Sequence, residues 1–144
     1  MSSIASILKD KGQTVHSVAK ESPVFEAIRS MADHNVGSML VMEDKKILGI
    51  FTERDYLKKI ALKFRSSRNT EVSEVMSAPV ITASSTDSVE ECLKVMTNNR
   101  CRHLPIVDGR KVIGMVSIGD LVNQLLTEKT EEVEQLSHYI QGEY

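Results

Sequence analysis

Laid against itself at an offset of 65, the chain matches without a gap from Val15 to Asp120. Val15 meets Val80, Val24 meets Val89, Glu26 meets Glu91 and Met31 meets Met96. Lys46 meets Lys111, Gly49 meets Gly114 and Asp55 meets Asp120. Between these identities lie conservative pairs: Ile28 with Leu93, Val41 with Ile106, Thr52 with Ser117. A chain written twice must fold as two like units. The copies run over residues 11–65 and 72–127, joined by a polar linker at 66–71 and flanked by helical extensions at 1–10 and 128–144.

Each copy has the same internal order. A short extended segment opens it (VHSVAKESP, then VITASSTDS). A helix follows. In copy one Ser22 is placed to cap it, with Pro23 at the first helical position and Val24, Ala27, Ile28 and Met31 on one face. In copy two Asp87 caps with Glu90 behind it, and Val89, Cys92, Leu93 and Met96 form the stripe. Two strands come next, SMLVME with KILGIFT and HLPIVD with KVIGMVS, and the Asp108-Gly109-Arg110 turn between the second pair is a hairpin signal. A second helix starts after Thr52 or Ser117. The class is therefore α/β, two β-α-β-β-α units. One such unit buries too little surface to be comfortable alone, so two are expected to pack sheet to sheet about a pseudo-two-fold axis.

Composition removes several classes of function. Formal net charge is -2, which gives no basic surplus for binding nucleic acid. No apolar run is long enough for a bilayer-spanning helix, and the N-terminus has no signal-peptide core, so a cytoplasmic protein with no membrane partner is expected. Cys92 and Cys101 fit no CxxC or metal spacing and read as reduced thiols. The four histidines are scattered, and neither a metal cluster nor a nucleophile–base pair can be assembled from the spacing, so no catalytic residue is expected.

Two stretches, GIFTERD at Gly49–Asp55 and GMVSIGD at Gly114–Asp120, share the pattern Gly, two apolar residues, Thr or Ser, and Asp three further on. With RHLPIVD at Arg102–Asp108 and VMSAPVITA at Val75–Ala83, they make the chain resemble the cystathionine beta-synthase (CBS) domain family, as a stand-alone tandem pair or Bateman module. The resemblance implies a non-enzymatic regulatory module that binds an adenosine ligand (AMP, ATP or NAD(H)) in clefts between its repeats. It further implies a homodimer and control of a partner protein in response to energy or redox state, with no catalytic cofactor.

By the same resemblance, Ile50, Thr52 and Asp55 share one cleft with Val80 and Ile81 against the base and Cys101, Arg102 and His103 toward ribose and phosphate, while Arg54, beside Asp55 at the helix start, either adds charge to this cleft or is an ordinary surface arginine. Ser117 and Asp120 share the other with Thr14, His16, Val36, Gly37 and Ser38. Arg102 and His103 answer to uncharged Gly37 and Ser38, so the clefts are expected to differ in charge.

The motif has a plainer reading. Thr52 or Ser117 at an N-cap with Asp three residues on is a capping box, which needs no ligand. A helix N-terminus also suits a phosphate, and a carboxylate one turn in can take both hydroxyls of a ribose. The alternatives to a sensor are thus a ligand-free structural dimerisation module and, with less in its favour, a nucleotide-processing enzyme. At the C-terminus Val133, Leu136 and Ile140 keep helical spacing, suited either to packing on the module or to a dimer contact.

Overall fold

The computed structural model describes residues 3–140, which form two compact units. One holds residues 14–81 with 109–112; the other holds the remaining described residues, 82–108 and 113–140 together with 3–13.

In the first unit, β1 (Ser17–Ala19) runs parallel to β2 (Ser38–Glu43), and β2 runs antiparallel to β3 (Lys46–Thr52), in the order β1-β2-β3. The β2–β3 turn places Asp44 and Lys45 at φ 49° and 66°, the left-handed pair that a tight hairpin requires. Helix α2 (Val24–His34) covers the sheet and ends on Asn35 in the left-handed conformation. Its Val24, Ala27 and Met31 pack with Met39 and Val41 of β2, Phe51 of β3 and with Ile60, Val72 and Val75. The second helix begins as α3 (Glu53–Asp55) and continues as a π-helical turn over Tyr56–Ala61.

The second unit contains α1 (Ile4–Lys11), α4 (Val89–Asn99), β4 (His103–Asp108), β5 (Lys111–Ser117) from Ile113 onward, and α5 (Ile118–Ile140), and β4 pairs with β5 in a two-stranded sheet. Leu104, Ile106, Val116 and Leu121 are fully buried here, as are Ile4, Ile7 and Leu8 of α1 to within a few per cent. Among the described residues this unit forms no counterpart of β1, because Pro105 stands where copy one has Leu40. The Leu40 N–H donates to the His16 carbonyl at 3.3 Å, and proline has no N–H to give. The extended segment expected at VITASSTDS is reduced to one parallel bridge, Ala83 to Ile106, the counterpart of the Val18–Val41 pairing.

Three local expectations shift. The N-cap of α2 is Pro23, not Ser22, with no side-chain hydrogen bond. That of α4 is Ser88, whose hydroxyl accepts the Glu91 N–H while Glu91 bonds back. Asp87 lies one residue too early for this and instead accepts from the Ser84 N–H at 2.9 Å. Part of the 66–71 linker is not solvated either: Thr70 is 4% exposed, and its carbonyl accepts the Val24 N–H at 2.8 Å, closing the start of α2. In α5, Val133 and Leu136 are exposed, and the side chain of Ile140 lies outside the described residues.

Candidate functional site

Both motifs end a strand and open a helix, and both are complete capping arrangements. Asp55 Oδ2 accepts the Thr52 N–H at 3.0 Å and the Thr52 hydroxyl at 3.2 Å, and the Asp55 N–H donates to Thr52 Oγ1 at 3.2 Å. Asp120 Oδ2 accepts the Ser117 N–H at 2.8 Å, and the Asp120 N–H donates to Ser117 Oγ at 3.1 Å. A Thr or Ser N-cap with an acid at N3 folds this way by local geometry alone.

The glycines of the motifs have a steric cause. A Cβ on Gly49 would collide with the Met76 side chain and lie 3.0 Å from the Ser77 carbonyl oxygen. One on Gly114 would lie 2.5 Å from Leu8 Cδ2. In each unit, therefore, a strand lets another segment pass against its backbone. In copy one the close approach is a bridge, with the Ile50 and Ser77 N–H groups each donating to the other's carbonyl at 3.0 and 2.8 Å.

That crossing segment carries polar groups to the first carboxylate. Ser77 Oγ donates to Asp55 Oδ1 at 2.9 Å, and the Lys59 ammonium lies 3.0 Å from the same oxygen. Asp55 is 6% exposed and holds four polar contacts, a satisfied buried charge. Asp120 is less enclosed. Its counter-ion is Lys11, at the end of α1, which also donates to the Met115 carbonyl at 2.9 Å. Burial pushes the Asp120 carboxyl up, but the hydrogen bonds from Lys11 and Ser117 outweigh it, and the net shift is below the ordinary aspartate value.

The remaining expected residues fall within the units as follows. Gly37 and Ser38 adjoin Thr52: the Glu53 N–H donates to the Gly37 carbonyl at 3.2 Å, and Ser38 lies opposite Thr52 in the β2–β3 register. Copy two repeats the contact, the Ile118 N–H donating to the Arg102 carbonyl at 2.9 Å. The backbone of Arg102 thus adjoins the Asp120 helix of its own repeat. Arg54, Arg102 and Thr14 are exposed, Val36 is at the exposed limit, and Ile50, Val80, Ile81, Cys101 and His103 are half-buried. Burial raises the Cys101 thiol above its usual range. His16 stacks on His34 with ring centroids 3.8 Å apart, and burial, then the His34 charge, lower its pKa.

Sequence reasoning missed Lys59, Ser77, Lys11 and His34. Lys59 carried a signal, since Asp followed by Lys four residues later is a favourable helical pair. The others are brought in by tertiary structure. Among the described residues, no group of three His, Cys, Asp or Glu could hold a metal ion.

The CBS domain family model matches residues 12–62 and 72–127. The chain belongs to the CBS domain family. It is 39% identical to the mitochondrial CBS domain-containing protein CBSX3 of Arabidopsis thaliana over 98% of its own length and 73% of that protein's. Among solved structures, a signal-transduction protein with CBS domains from Burkholderia ambifaria superposes with a TM-score of 0.84 at 44% identity, covering 88% of this chain and 95% of that one. The CBS domain pair of protein MJ0100, solved with 5′-methylthioadenosine and S-adenosylmethionine, superposes with a TM-score of 0.77 at 24% identity, covering 90% and 98%. The CBS pair thus accounts for the doubled motif and the mixed α/β fold. No helix among the described residues is long and apolar enough to cross a membrane.

Proposed function

We propose that this CBS pair is a non-enzymatic sensor that binds an adenosine ligand, AMP, ATP or NAD(H), as a homodimer and thereby controls a separate partner protein. The supporting observation is that each repeat holds a carboxylate at the third position of a helix, beside a hydroxyl and after a strand whose central glycine lets another segment pass close by. A carboxylate so fixed can accept the two ribose hydroxyls, and the helix start offers N–H groups to a phosphate. The MJ0100 pair, which shares the fold, was solved with two adenosine compounds. Arg102 and His103 are proposed to face phosphate, with Val80, Ile81 and His16 toward the base. Two free thiols, Cys92 and Cys101, fit a reducing interior such as the cytoplasm.

Calorimetry on protein stripped of bound ligand, with AMP, ATP, NAD and S-adenosylmethionine, tests the proposal. Binding of at least one without turnover is expected; no heat from any of the four overturns it.

One observation favours the structural reading: Asp55 is fully satisfied by Thr52, Ser77 and Lys59 without a ligand. Under that reading, loss of either aspartate lowers melting temperature and leaves no affinity to change.

A further inference from the structure

The counter-ions of the two motif aspartates come from different places. Lys59 belongs to the helical segment that Asp55 opens, one turn on. Lys11 is the last residue of α1 and reaches Asp120 across 109 positions of sequence. At the repeat offset its counterpart is Met76, which carries no charge, so Asp55 draws no counter-ion from the corresponding position.

The Lys11 ammonium sits on Asp120 Oδ2, the oxygen that also accepts the Ser117 N–H. A carboxylate oxygen accepts about two hydrogen bonds. With the cap bond in place, Oδ2 is full, and a ribose diol that engages both carboxylate oxygens must take the place of Lys11. The pair is weak enough to yield, because the two side chains are 41% and 25% exposed. Release has a mechanical consequence that release of Lys59 lacks. Lys11 ends the helix, Gly12 follows at φ +96° with its N–H on the Leu8 carbonyl at 2.8 Å, and the Met115 carbonyl is what then holds the ammonium.

We propose that Lys11 is a resident occupant of Asp120, and that seating a ribose there evicts it and loosens the last turn of α1. This rests on the adenosine-ligand reading above and adds to it which ligand group is felt and which segment responds.

The test uses the full chain and adenosine, which carries the diol without a phosphate, with 2′-deoxyadenosine as control. Lys11→Gln is expected to tighten adenosine at the site that Asp120→Asn abolishes by about two- to fivefold, the range of an exposed ion pair. Lys11→Arg, which keeps the charge, should bind like the unmodified protein, and 2′-deoxyadenosine should show no gain with Lys11→Gln. Saturating adenosine should also speed hydrogen exchange at the Gly12 amide of the unmodified protein. Unchanged or weaker adenosine binding by Lys11→Gln overturns the eviction while leaving the adenosine reading standing. So does weakening by Lys11→Gln of AMP alone, which would make the lysine a phosphate ligand. Absence of adenosine and AMP binding in every variant overturns both.

Discussion

Lys59 and Asp55 form an ion pair at 3.0 Å in which the carboxylate is buried and the ammonium half exposed, bridging to the Val75 carbonyl at 2.9 Å. The lysine ties the start of the second helix to the segment that crosses the Gly49 strand, so the motif aspartate has structural work before any ligand arrives.

Asp55→Ala should therefore cost stability as well as binding. Losing the cap alone costs about 1 kcal/mol. The buried bonds from Ser77 and Thr52 raise that to about 2 kcal/mol or more, because polar partners are left unmatched. Asp120→Ala should cost less, as its surroundings are more open. Urea titration of both variants reads the order, and calorimetry beside it shows whether each variant loses a site.

Arg102→Ala separates two placements of the arginine. The family resemblance groups its side chain with Asp55, whereas its backbone carbonyl is bonded to the helix of Asp120. A two-site AMP titration of the variant, compared with Asp55→Asn and Asp120→Asn, is expected to show loss at one site only, about tenfold or more for an arginine–phosphate contact.

Gly49→Ala should be more costly than Gly114→Ala. The new methyl on Gly49 meets a backbone carbonyl at 3.0 Å besides the Met76 side chain, whereas the three atoms nearest that on Gly114 all belong to the Leu8 side chain. Overpacking of this kind costs about 1–3 kcal/mol. Thermal melts of the pair check the ranking.

His16 gives a pH dependence of known sign. Its folded pKa lies below the ordinary histidine value of 6.5, so the unfolded chain binds the proton more readily. Its contribution is fully present above 6.5 and is lost as pH falls through the folded pKa. His16→Gln should flatten the fall in melting temperature on acidification relative to the unmodified protein.

A homodimer is expected from the exposed apolar side chains of Leu57, Leu62 and Phe64, and of Leu126, Val133 and Leu136 along α5. Light scattering at low micromolar concentration should give about twice the 16.1 kDa chain mass.

The repeat made the strands, the α2 and α4 stripes and the two capping boxes legible, because each follows from short-range spacing. Even the left-handed helix stops obey it: Asn35 and Arg100 stand at matching positions, both at φ 54°. Exact capping residues did not follow: Asp87 is as good a cap in isolation as Ser88, and Ser22 is a better one than the Pro23 that caps α2 without a side-chain bond. The loss of a strand in copy two was written in Pro105, but reading it required knowing which N–H the ladder uses. Lys11 and Ser77 were out of reach because their partners lie 109 and 22 positions away, and no periodicity spans such a gap.

The close passage of Met76 and Ser77 over Gly49, and of Leu8 over Gly114, separates the stretch that was duplicated from the stretch that coheres. The residues leading into repeat two, up to Ile81, belong to the compact unit of repeat one, and those leading into repeat one, up to Gln13, belong to the unit of repeat two. The repeats have traded leaders, in the manner of two people each wearing the other's coat. Neither can be excised intact: a fragment cut at the family limits of residues 72–127 would lack α1 and bare the groove over Gly114, and one cut at 12–62 would lose the strap over Gly49. Dissecting such a chain by homology boundaries severs the bonds that make each half a body.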